Sequence, residues 1–152
     1  MDKDQFLDWL KKSARRIAMD EEHVPMLFGV LPTGMPAVAH LATLDKDSWG
    51  DAVCGFIDEV NPAFYAFVSE AYMAVAKSKD SEKFKQVMNE GVASLPPDDR
   101  EDVLMITLCE NDGKARLFTC KVHPENAGKR VVGDWEESKM HQVVSRHLML
   151  KW

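Results

Sequence analysis

The stretch LCENDGKARLF, residues 108 to 118, sets a polar turn between two apolar runs, and how that turn is built decides which side chains share a face of a hairpin. If Asp112-Gly113 alone made the turn, Asn111 would face Lys114, Leu104 would pair with Lys121 and Ile106 with Thr119. Both faces would then mix apolar with polar groups. If instead Asn111-Asp112 fill a type I turn and Gly113 takes the left-handed bulge position, Glu110 faces Lys114. Leu104, Ile106, Leu108, Phe118, Cys120 and Val122 then share one face, with Arg116 near its rim. The second register is expected, because a one-residue slip would forfeit roughly 1.5 to 3 kcal/mol for each large side chain moved into water. The other face carries Val103, Met105, Thr107, Cys109, Ala115, Leu117, Thr119 and Lys121, too apolar to be wholly wet, so something must cover part of it. Cys109 and Cys120 fall on opposite faces and cannot form a disulfide without breaking the hairpin.

The rest of the chain supplies the remaining elements. Residues 2 to 19 place Phe6, Leu10, Ala14 and Ile17 on one stripe widened by Leu7 and Ala18, which predicts an amphipathic helix. Its Lys11, Lys12, Arg15 and Arg16 lie opposite and, with Asp2, Asp4, Asp8 and Asp20 around them, read as a solvated face. VPMLFGVL and MPAVAHLA flank Pro32-Thr33-Gly34 and predict a hairpin, with Pro25 and Pro36 at strand starts or on an edge because neither can donate to a ladder. Ser48 and Asp51 resemble a capping box for a helix through Val60 that Pro62 ends. Residues 63 to 76, AFYAFVSEAYMAVA, suit either a helix capped at Asn61-Pro62 or a strand buried on both faces, and the aromatics favour the strand. Residues 81 to 90 predict a short helix with Ser81 as cap and Gly91 as stop, and the tail from Asp134, with Met140, Val143, Val144 and Leu148, a terminal helix. The expected fold is α+β, one domain over residues 1–152, with an antiparallel sheet of about five strands and helices packed on it.

Composition excludes several classes of partner. At 152 residues with 45% hydrophobic side chains, the chain can bury roughly 70% of its extended surface and needs no staples. Nineteen basic against twenty-five acidic residues give a charge of −6, which disfavours nucleic acid and anionic lipid. The amino end MDKDQFLDWLKK lacks the pattern of a signal peptide and no apolar run is long enough to span a bilayer, so the cytoplasm is expected. Cys54, Cys109 and Cys120 are an odd count without ligand spacing, and His40, His123, His141 and His147 offer no paired spacing. No metal and no cofactor are expected.

FVSEAYM, followed by a polar loop ending in DDREDVLMI, is similar to a pattern in a family of short bacterial and phage proteins, which brings no activity with it. The order of elements is similar to roadblock-like and profilin-like domains, and that likeness implies a dimeric adaptor or regulator. It rests on topology with no shared motif.

Glu70 most breaks its local pattern, lying between Phe67-Val68 and Ala71-Tyr72. A buried carboxylate there would be a catalytic candidate, and an edge position or a salt bridge, with Arg100 as the candidate partner, is the structural alternative. Ser69 adjoins Glu70 without a nucleophile motif. Two functions follow: a cytosolic interaction or regulatory module that uses the incompletely covered sheet face to pair with itself as a homodimer or with another protein, or a small hydrolase or lyase with Glu70 as acid or base and Arg100 binding an anion.

Overall fold

The computed structural model describes residues 2–124 and 130–138. Among them the chain runs α1 (Lys3–Asp20), β1 (Met26–Val30), β2 (Pro36–His40), α2 (Trp49–Val60), β3 (Phe64–Met73), α3 (Glu82–Glu90), β4 (Glu101–Glu110), β5 (Ala115–Pro124), β6 (Arg130–Val132) and β7 (Glu136–Ser138). The class is α+β. All strand pairs are antiparallel, in the order β2-β1-β3-β4-β5-β6, and β7 also pairs with β5.

The long hairpin adopts the bulged turn. Glu110 N–H donates to Lys114 O at 2.9 Å, Gly113 N–H donates to Glu110 O at 3.1 Å, and Gly113 holds φ 82°. Leu104 accordingly pairs with Cys120, and Ile106 with Phe118. The β1–β2 hairpin repeats the device: Leu31 N–H donates to Met35 O, Gly34 N–H donates to Leu31 O, and Gly34 has φ 88°. Pro32-Thr33-Gly34 and Asn111-Asp112-Gly113 therefore share one turn chemistry, a glycine supplying the positive φ that lets strands of right-handed twist meet.

Helices close both faces of the sheet. Phe6, Leu7, Leu10, Ala14 and Ala18 of α1 pack on Phe28, Val68, Leu104, Ile106 and Phe118. Across the sheet, Val53, Phe56 and Ile57 of α2 pack on Leu27, Tyr65, Phe67 and Cys109. β3 lies centrally and is buried on both faces as far as Ser69, which explains its unbroken apolar run. The second face of the β4–β5 hairpin is covered within the chain and is not the open contact surface expected of it, since Val103, Thr107, Cys109, Leu117 and Thr119 are all buried.

Several expectations are corrected. Ile17 is exposed, because the buried stripe of α1 runs through Ala14 and Ala18. α1 begins with a capping box between Asp2 and Gln5, whereas Ser48 lies in a 3₁₀ turn with helical backbone and makes no side-chain cap. Asp134 and Trp135 are not helical and residues 136–138 form a strand, while residues 139–152 of the expected terminal helix, with His141 and His147, lie outside the described residues.

The seven strands include two short ones that behave as one. β6 pairs Val122 with Val132 and β7 pairs Thr119 with Glu136, so two residues of β5 oppose Gly133, Asp134 and Trp135. One extra residue makes this a β-bulge. Its carbonyls turn toward α1, where Arg15 Nη2 donates to Val132 O at 2.8 Å and Nε to Gly133 O at 3.1 Å.

Candidate functional site

The alternation that sends Ala66 and Val68 toward α1 sends Glu70 to the same side, where the chain leaves that helix. Arg130, at the start of β6, grips the carboxylate with both terminal nitrogens: Nη1 donates to Oε2 at 3.1 Å and Nη2 to Oε1. The backbone N–H of buried His23 donates to Oε2 as well. His23 Nδ1 sits 2.8 Å from Val24 O, and since a carbonyl can only accept, that nitrogen carries the proton. The side chains of Glu70 and Arg130 are 11% and 19% exposed, so the pair is a largely desolvated bidentate bridge. The hydrogen bond to Glu70 raises the Arg130 pKa, and Glu22 and Asp102 add to it through their charge.

In sheet order β3 and β6 are separated by two strands, on the order of 14 Å in a flat sheet. A direct bridge between them requires the sheet to curl around the end of α1. The bulge at 133–135 and the Arg15 bonds belong to the same curl.

Arg100 does not pair with Glu70. Its Nη1 donates to Ala93 O at 2.6 Å and Leu95 O at 2.9 Å, and its guanidinium lies 4.4 Å from the centre of the Tyr72 ring. The reason is position: Arg100 precedes β4 and is held by the loop that enters it, while Glu70 stands opposite Leu104, deeper in the sheet. Tyr72, Arg100, Asp102, Lys121 and His123 line a cleft of about 260 Å³ in which Glu70 takes no part. Lys121 is paired there with Glu101 at 3.5 Å.

Ser69 is buried and on the opposite face of β3 from Glu70, so the two cannot act together. Burial pushes the Cys109 thiol up to about 11, partly offset by a hydrogen bond with Tyr65. Burial likewise pushes Cys120 up to about 12, with Arg15 opposing and Glu70 reinforcing the shift. Neither is a nucleophile near neutrality. Among the described residues, no three His, Cys, Asp or Glu side chains are placed to hold a metal ion. No described helix is long and apolar enough to cross a membrane.

Sequence reasoning found Glu70 and missed its partner. Arg130 begins a three-residue strand, and nothing in its neighbours points to a carboxylate 60 residues away. A groove of about 490 Å³ along α1, lined by Lys11, Lys12, Arg15 and Arg16 and closed by Trp135, was equally out of view.

These features define an α+β protein with a curled antiparallel sheet, closed by an internal ion pair. No family model matches the chain, and neither the curated proteins nor the solved structures gave a match. The likenesses of FVSEAYM and of the element order therefore carry no residue roles to this chain.

Proposed function

We propose that the protein is a small cytosolic interaction module that pairs with a second copy of itself along β2. One observation carries this reading: among the described residues β2 is an edge strand whose outward backbone groups complement themselves. Leu31 N–H bonds to Met35 O and Leu41 N–H to Pro25 O, so alternation directs the groups of Ala37 and Ala39 toward β1. Val38 and His40 then present both N–H and C=O outward, and Pro36 its C=O. A second β2 placed antiparallel about a twofold axis at Val38 joins each Val38 N–H to the partner's Val38 carbonyl. It also joins each His40 N–H to the partner's Pro36 carbonyl. Pro36 ordinarily guards an edge, but in this register it is asked only to accept.

Exposed apolar groups support the same strip. Val38 is 49% exposed and Met35 62%, while Trp9, at 43%, leans edge-on against Phe28, the pairing neighbour of Val38. The sheet faces are closed by α1 and α2, so pairing through an edge needs no opening of the core. Glu70 is committed to Arg130 and His23, and Arg100 to two carbonyls, which favours a module over acid-base catalysis. Three free cysteines, two of them buried, suit a reducing compartment.

Sedimentation across a tenfold concentration range tests the proposal. A dimer is expected whose population falls on dilution, and Val38→Pro is expected to leave a monomer with an unchanged urea midpoint, since that N–H bonds no other described residue. Ala39→Pro, which removes an inward donor, should instead destabilise the fold. A wild-type mass that stays monomeric, or a Val38→Pro variant that still dimerises, would refute pairing through β2.

A further inference from the structure

The groove along α1 inverts the charge of the protein around it. Acidic residues outnumber basic ones, 25 to 19, yet the groove gathers Lys11, Lys12, Arg15 and Arg16 against a single acid in its lining, Asp8. Every ion pair among the described residues lies elsewhere, and no described carboxylate comes within bonding distance of these four cations. Glu137, which feels the charge of Lys11, is held by Arg116 through two bonds of 2.8 and 3.1 Å, and the positive field of Lys11 helps to lower its pKa. In a protein with carboxylates to spare, four cations unmatched in one concavity are a feature to be explained.

The four are not equivalent. Lys11 Nζ stands 4.0 Å above the Phe118 ring, and Arg15 is anchored to the bulge carbonyls through Nε and Nη2, leaving Nη1 uncommitted among the described residues. Both are thus fixed in place by the fold. Lys12 and Arg16 are exposed and adaptable. Across from them Trp135 sits in the bulge, packed on the α1-side core, with its indole N–H buried and without a hydrogen-bond partner among the described residues. Met19 also lines the groove.

We infer that this groove binds a small organic anion with an apolar body, its charge held by Lys12, Arg15 and Arg16 and its body laid against Trp135 and Met19. Two anchored cations, two mobile ones and an aromatic wall match phosphate monoesters or carboxylates of planar groups better than an inorganic anion, which would leave the apolar wall wet. The site is separate from β2 and does not depend on self-association.

Proton–nitrogen correlation spectra of the full chain test it, with the Trp135 indole resonance assigned through Trp135→Phe. Phenyl phosphate is expected to shift that resonance saturably at millimolar concentration or below, and to bind at least roughly tenfold more tightly than inorganic phosphate. Benzyl alcohol, which has the ring without the charge, should give no saturable shift. Lys12→Glu combined with Arg16→Glu should weaken phenyl phosphate by roughly tenfold or more while leaving the urea midpoint in place, because both side chains are exposed. With the wild type, added sodium chloride should weaken binding. Equal affinity for the two phosphates, no saturable shift with either, or binding indifferent to charge reversal and salt would overturn the inference. So would a response confined to an acidic peptide, which would make the groove a protein-docking surface.

Discussion

At the scale of single residues, the fate of Glu70 turns on one partner. Removing either member of a desolvated bridge strands the other, so Glu70→Gln is expected to lower stability by about 3 kcal/mol, and Arg130→Met by a similar amount. The double variant should lose less than the two single losses combined, and urea midpoints of all four proteins measure that coupling. Simple additivity would show that the two side chains do not support one another. A carboxylate inside an apolar strand was legible in the sequence as a residue needing compensation; the identity of its cation was not, because Arg100 and Arg130 differ only in where long-range pairing places them. Cys109 gives a prediction in pH. Its folded pKa, raised by burial to about 11 from an ordinary value near 9, means the folded state holds that proton more tightly than the unfolded chain. The associated stability is complete below about pH 9 and is lost as pH climbs through about 11. The urea midpoint should fall over that window, and Cys109→Ala should flatten the fall; an identical slope in the variant would rule out this thiol as a source.

Among the elements, what could be read from sequence was whatever local chemistry dictates. The register of β4 and β5 followed from Gly113 and from the cost of turning Leu104, Ile106 and Phe118 outward, and those residues do lie in one core cluster. Gly113→Val should destabilise the fold by roughly 1 to 2 kcal/mol, because a β-branched side chain resists φ 82°. A thermal or chemical melt unaltered by that change would contradict the bulged turn. β3 was ambiguous for a physical reason: an element buried on both faces shows no polar period, and only its β-branched and aromatic content separated strand from helix. β6 and β7 were illegible. Three residues carry no periodicity, and Glu136-Glu137-Ser138 is polar throughout, so only the open edge of β5 calls those residues into a strand.

For the molecule as a whole, the consequential feature is the distance along the chain that its closing contacts span. Arg15 reaches carbonyls 117 and 118 residues away, and Glu70 reaches Arg130 across 60. Contacts of such separation form late, so they should be absent from the rate-limiting barrier to folding. Arg130→Met is therefore expected to raise the unfolding rate by most of the factor its destabilisation implies while leaving the refolding rate within about twofold. Refolding slowed in proportion, with unfolding unchanged, would place the bridge in the nucleus instead. The same order of events governs a chain emerging from the ribosome, in which α1 is made before β6. Until residue 130 has been added, the carboxylate of Glu70 has only the His23 N–H for company among apolar strands, and the far end of α1 lacks its β6 cover. A product cut short before that residue would thus carry its own mark of incompleteness, an unmatched charge beside exposed core, of the kind that quality-control proteases recognise.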